Sequence, residues 1–135
     1  PMMKEIIIVS DDRPGMVAEI AEALAAVNVN IESLDVETIG GSKVAALTVD
    51  RYDDALRGLA RTRFQAISED ALVLQLADKP GELARITRRL KDAQIDVRSV
   101  RIIRRESGTG IIAVATDRNN DARKLLGDVM VSWPR

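Results

Sequence analysis

The chain contains no cysteine and no histidine, and it has only one Phe, one Tyr and one Trp. The first two absences exclude disulfides, thiol redox chemistry, zinc sites of the Cys/His type and any mechanism that needs an imidazole base. No segment approaches the roughly 18 consecutive apolar residues of a membrane span. The four strongly apolar residues Ile6 to Val9 are too short a run for a secretory signal. A cytoplasmic protein is the expectation. An excess of one charge sign is also missing: 20 basic and 21 acidic side chains leave a net charge of −1. That balance gives no electrostatic reason to expect nucleic acid or a membrane as partner. The halves differ, however, since residues 1–69 carry a net −5 and residues 70–135 a net +4. Complementary halves of this kind can pair, although surface charge also simply solvates.

What the chain does have is a repeat. Asp12-Arg13-Pro14-Gly15 leads through a helical pattern to Val29-Asn30-Ile31-Glu32-Ser33. Sixty-six residues later Asp78-Lys79-Pro80-Gly81 leads to Ile95-Asp96-Val97-Arg98-Ser99. Ala18, Ile20 and Leu24 return as Ala84, Ile86 and Leu90 at the same offset. Further on the offset becomes 67, so that Asp50 meets Asp117. One extra residue in a hairpin loop is the expected cause, because loops tolerate insertions. The duplication divides the chain into units 1–69 and 70–135. A unit of this size buries only about 60% of its unfolded surface and is marginal alone, so the copies are expected to pack on each other or on a second chain.

Each unit reads β-α-β-β-α-β. Lys4 to Ser10 is a β-branched strand, and Pro14 suits a first helical turn. Val17, Ile20, Ala21, Leu24 and Val27 make one apolar helical stripe. A strand follows from Asn30, then a Gly40-Gly41-Ser42 turn and the return strand Lys43 to Asp50. Asp53 or Asp54 is placed to cap a short second helix, and Arg63 to Ser68 closes the unit. In the second copy the elements are Ala71 to Ala77, a helix Gly81 to Ala93 with Leu83, Ile86 and Leu90 inward, a hairpin Ile95–Arg105 and Ile111–Asp117, a helix Asn120 to Leu126, and a strand Val129 to Trp133. The expected fold is α+β: two ferredoxin-like sandwiches, each a four-stranded antiparallel sheet with two helices on one face.

A Pro-Gly pair between strand and helix leaves the N–H groups of the first turn open, and Gly15 removes the side chain that would block approach. Such a terminus suits an anion. Asn30 lies beyond the far end of the same helix, about 20 Å away, and reaches only the loop of a neighbouring copy. A loop from one copy and the Asn of another would hold the carboxylate and the ammonium of a free amino acid. The same residues also read as an ordinary helix start and stop. Both readings stand at this point.

The run Ile7 to Ile20 with Val27-Asn28-Val29-Asn30-Ile31, and again Asp78 to Ala84 with Ala93-Gln94-Ile95-Asp96-Val97, resembles the signature of ACT domains over essentially the whole chain. The resemblance implies a regulatory ligand-binding module, with ligands seated between the loop of one copy and the strand start of another. It assigns the loop role to Asp12, Gly15, Met16 and Val17, and the partner role to Asn30 and Ile31. Ser10 joins them, because serine-sensing relatives are polar there. In the second copy the roles fall on Asp78, Gly81, Glu82, Leu83, Asp96 and Val97. Leu76 replaces Ser10 and Asp96 replaces the amide, so Asp96 accepts from an ammonium but donates nothing to a carboxylate. The first copy matches better.

Arg98, Arg101, Arg104 and Arg105 crowd one strand, but none of the three aromatic residues lies on it to stack bases. A protein-partner surface is the better reading. No nucleophile–base pair or convergent carboxylates suggest catalysis, and no metal or cofactor motif is present. The expectation is a non-catalytic module that binds an amino acid and relays it to a regulated enzyme or regulator, assembled as a homodimer or tighter. The alternative is a ligand-independent interaction module.

Overall fold

The computed structural model describes residues 4–131. The elements follow the order β1 Ile6–Asp11, α1 Met16–Ala26, β2 Ile31–Ile39, β3 Ser42–Val49, α2 Tyr52–Leu59 and β4 Gln65–Ile67. The order then returns as β5 Leu72–Ala77, α3 Glu82–Asp92, β6 Val97–Glu106, β7 Thr109–Thr116 and α4 Asn119–Leu125. Two compact units meet at Glu69 and Asp70. The α+β class and the duplicated antiparallel sandwich are those expected.

In the first unit the strand order is β2-β3-β1-β4, antiparallel throughout. Ile6 and Ile8 of β1 face the helices together with Ala45 and Leu47 of β3. They close a core with Ile20 and Leu24 of α1 and Ala55 and Leu59 of α2. The second unit builds the same core from Leu72, Leu74, Ile112 and Val114 under Ile86 and Leu90. Among the described residues its sheet has three strands, in the order β5-β7-β6. The expected last strand is reduced to a bridge between Met130 and Leu74, flanked by Gln75 N–H to Val129 O (2.9 Å) and Val131 N–H to Val73 O (2.8 Å). Ser132 and Trp133, the end of that expected strand, lie outside the described residues.

Several local expectations change. The α1 stripe is rotated: Met16 is buried and Val17 is 48% exposed, because the core takes the Met16–Ile20–Leu24 ladder at four-residue spacing. Leu83, equivalent to Val17, is exposed for the same reason. Pro14 precedes the helix instead of opening it, since Gly15 with φ +102° stands between them. Asp53 and Asp54 sit inside the first turn of α2 behind Arg51 and do not cap it. Asp54 instead pairs with Arg51 and Arg57.

The offset of 67 also has a different origin. Both hairpin turns have two residues, Gly40-Gly41 and Ser107-Gly108. The extra residue is Ile103, which the β6–β7 ladder skips between Ile102↔Ile112 and Arg104↔Ile111. The insertion was absorbed inside a strand as a bulge, with Ile103 buried.

Helices α1 and α2 approach closely at Gly58, where an added Cβ would lie 2.9 Å from Val27 Cγ2 and 3.3 Å from its Cγ1. Gly58→Ala gains about 1 kcal/mol in helix propensity, but forcing a methyl into this contact costs about 1–3 kcal/mol. Urea denaturation should find the variant less stable than the parent, by about 1 kcal/mol net. A more stable variant would mean that Val27 yields freely.

Candidate functional site

The two loops that follow the first strand of each unit share one backbone. Gly15 and Gly81 take φ +102° and +92°, a left-handed conformation that side chains disfavour, and both end at a helix without a capping side chain. A Cβ at either position would meet nothing within 4 Å, so the space in front of these glycines is open. The first bond of α1 runs from Glu19 N–H to Gly15 O (3.0 Å). The N–H groups of Met16 and Val17 ahead of it face outward, as the first donors of an uncapped helix do. The side chain of Met16 belongs to the core, so this residue offers the site its backbone alone. Asp12 is exposed at the rim. In the second loop Asp78 pairs with Arg105 at 3.3 Å, and Glu82 with Arg85 at 3.0 Å.

At the other end of α1, Asn28 (φ 60°) breaks the helix and the chain enters β2. Asn30 is then clamped to its own hairpin. Its N–H donates to Asp50 Oδ1 (2.9 Å), its Nδ2 to Asp50 Oδ2 (3.0 Å), and Asp50 N–H returns to Asn30 O (3.1 Å). These bonds, first from the Asn30 backbone and then from its amide, hold the Asp50 carboxyl below its ordinary range. The second unit keeps the backbone half of the clamp: Asp96 N–H to Asp117 Oδ1 (2.9 Å) and Asp117 N–H to Asp96 O (3.0 Å). Asp96 and Val97 border an open depression of about 440 Å³, together with Thr87, Lys91, Gln94 and Ile95. Within a unit the loop residues and the strand-start residues do not converge, since eleven helical residues hold them about 16 Å apart. Each unit therefore presents its glycine loop and its strand start at opposite ends of one helix.

Arg63 is the residue that sequence reasoning passed over. From just ahead of β4 its guanidinium reaches Ser10 Oγ (3.1 Å), Asp11 Oδ1 (3.3 Å) and Glu19 Oε2 (2.6 Å), and it lies 4.4 Å from the centre of the Phe64 ring. Ser10, almost fully buried, donates to Asp11 Oδ1 (2.9 Å). The Arg63 hydrogen bond holds Glu19 below its ordinary value. Asp11 is lowered first by the Ser10 hydroxyl, then by Arg13 and Arg63. At the equivalent places the second unit has Leu76, Ala77 and Arg85, so the cluster is confined to the first loop. That joint replacement was the one signal in the sequence. Arg63 itself stands 44 residues from Glu19 with no local spacing to betray it.

The family model for the ACT domain matches residues 4–69 and again residues 71–128. A search of curated proteins finds no match. Among solved structures, a protein from Bacteroides thetaiotaomicron is 17% identical with a TM-score of 0.48, over 96% of this chain and 91% of that one. The regulatory subunit of aspartate kinase from Thermus thermophilus is 15% identical with a TM-score of 0.43, over 94% and 93% of the two chains. The ACT domain of GTP pyrophosphokinase from Chlorobium tepidum is 17% identical with a TM-score of 0.37, over 49% of this chain and 97% of that one.

The Arg63 cluster makes a pH prediction. Asp11 and Glu19 sit below their ordinary values of 3.8 and 4.5. Carboxyls lowered in the folded state contribute fully above those values, and the contribution fades as pH falls through them. The chain should thus lose stability on acidification below about pH 4.5. Arg63→Met should be less stable at neutral pH and show a flatter profile in this window, read from urea midpoints. An identical profile in the variant would place the acid sensitivity elsewhere.

Proposed function

We propose, from the premise that this chain belongs to the ACT domain family over both of its halves, that it is a cytoplasmic protein that binds an amino acid or similar small zwitterion and relays its presence to a partner protein. ACT domains are regulatory small-molecule-binding modules, not catalytic ones. The observation that carries the ligand reading is the pair of open, uncapped helix starts behind Gly15 and Gly81, each with free space where a side chain would stand. A ligand carboxylate at the Met16 and Val17 N–H groups gains about 0.3–1 kcal/mol from the helix dipole, besides its hydrogen bonds.

The ammonium end belongs to the strand start of another copy. Asn30 has committed its Nδ2 to Asp50, which leaves Oδ1 as the group that turns to an ammonium. Ile31, next along, packs partly buried against the core of its own unit and offers its backbone there. In the second unit Asp78, Gly81, Glu82 and Leu83 form the loop half, and Asp96 and Val97 the strand half. Ser10 acts from behind the first loop, through Asp11 and Arg63. A ligand that bridges two copies favours one packing of them over another, and this linkage is what a partner senses. The rival, a ligand-independent interaction module, draws on the exposed apolar side chains of Val17, Val36, Leu83 and Ile102.

A thermal-shift screen of the twenty amino acids on the intact chain and on Asn30→Ala separates these readings. The variant keeps the backbone clamp, because Asp96 makes the same bond with no amide. One or a few amino acids should stabilise the chain by about 2.7 kcal/mol at 100 times their Kd, and the variant should lose that response. No response to any of them favours the interaction module. A response that survives in Asn30→Ala moves the ligand to the Asp96 half-site.

A further inference from the structure

In the second unit the depression of about 440 Å³ lies between the last turn of α3 and the start of β6, and Lys91 and Asp96 both line it. Gln94, with φ 59°, turns the chain from one wall to the other. Arg118 holds that turn, donating to Ala93 O (3.1 Å) and Gln94 O (3.0 Å). Asp117 holds the strand wall through the Asp96 backbone, by bonds of 2.9 and 3.0 Å. The backbone of both walls is thus fixed, and two opposite charges are left over. Among the described residues neither the Lys91 ammonium nor the Asp96 carboxylate has a hydrogen bond or ion pair, with each other or with a neighbour. Asp92, next to Lys91, is taken by Arg88.

The equivalent positions of the first unit are neutral: Ala25 stands for Lys91 and Asn30 for Asp96. The Asn30 amide spends its Nδ2 on Asp50. A carboxylate has no hydrogen to donate to Asp117 in the same way, so the Asp96 side chain stays unpaired. The Asp117 carboxylate, bound to the Asp96 N–H, adds a second negative charge beside it. A lysine in the last turn of a helix is favoured by the helix dipole. That accounts for Lys91 and leaves Asp96 unanswered. Thr87, where the first unit has Ala21, gives its hydroxyl hydrogen to Leu83 O (3.0 Å) and Ala84 O (3.2 Å), so it meets a ligand only as an acceptor.

We propose that this depression binds a small zwitterion within one unit, its carboxylate on the Lys91 ammonium and its ammonium on the Asp96 carboxylate. An ion of one sign answers only one of the two charges, and a neutral solute answers neither. A ligand with both completes the two pairs at once, with Thr87 accepting a further hydrogen from its ammonium. The glycine loop at the far end of α3 takes no part, and no second copy is required. The amino-acid class of the ligand rests on the reading proposed above; the containment of the site in one unit does not.

The test uses the intact chain labelled with 15N, and the twenty amino acids as probes. At least one should move the amide signals of Gln94, Asp96 and Val97, with an apparent Kd that does not change with protein concentration. Its N-acetyl and carboxamide derivatives, which each lack one charge, should fail to do so. Lys91→Gln and Asp96→Asn alter exposed side chains and should fold as the parent does. Each should weaken the binding by about tenfold or more, the worth of a hydrogen bond to a charged group. Parental affinity in either variant, equal binding of the N-acetyl derivative, or a Kd that tightens with protein concentration would overturn the proposal. Amino acids that move only the Met16 and Asn30 signals would sink this site and leave the ligand reading above in place. If none of the twenty moves any amide, both fall.

Discussion

The length of α1 and α3 is the constraint on which the rest depends. Each helix has eleven residues and runs back along its sheet, so a glycine loop at one end and a strand start at the other are kept about 16 Å apart. The β1–β3 pairing makes this separation rigid, because Asp11 is registered on Ser42 at one end of the sheet. The Asn30–Asp50 clamp fixes the opposite end. A molecule the size of a free amino acid cannot touch both places within one unit.

Within that frame the two units have diverged in what their helices are tied to. In the first, Arg63 draws the start of α1 towards β4 through Glu19, Asp11 and Ser10. In the second, Arg89 reaches from the last turn of α3 to Leu125 O at the end of α4 (2.8 Å) and to Asp128 beyond it (3.0 and 2.9 Å). The first unit thus braces its glycine loop, and the second braces the opposite end of the helix. The Arg63 cluster organises the loop in front of Gly15, whereas with Leu76 and Ala77 in its place the loop in front of Gly81 is held by the Asp78–Arg105 and Glu82–Arg85 pairs. One duplicated plan thus holds its two glycine loops in different ways.

Most of the fold could be read in the sequence because its cues are local: β-branched runs and Pro-Gly before each long helix recur at an offset of 66, and the glycine turns at 67. The errors came where tertiary packing chooses among local options. Val17 and Met16 are both apolar neighbours at a helix start, and only the position of β1 and β3 decides which is buried. Asp53 and Asp54 are good caps, yet the chain entered α2 two residues ahead of Asp53 and left both in its first turn. The loop glycines were legible as a candidate site because backbone conformation is written in residue type. Arg63 was not, because a guanidinium that joins three elements leaves no spacing pattern. The clamp on Asn30 was hidden for the same reason, its partner lying 20 residues away across a hairpin.

The bulge at Ile103 gives the duplication a direction. A repeat that superposes on its twin residue for residue is interchangeable with it, and nothing in such a chain distinguishes front from back. One inserted residue, swallowed by β6 and not by a turn, makes its edge one residue longer than that of β2 and re-aims Arg104 and Arg105 relative to their counterparts. The two halves are then no longer substitutes for each other. A chain rebuilt from two first units would keep its fold and lose its polarity.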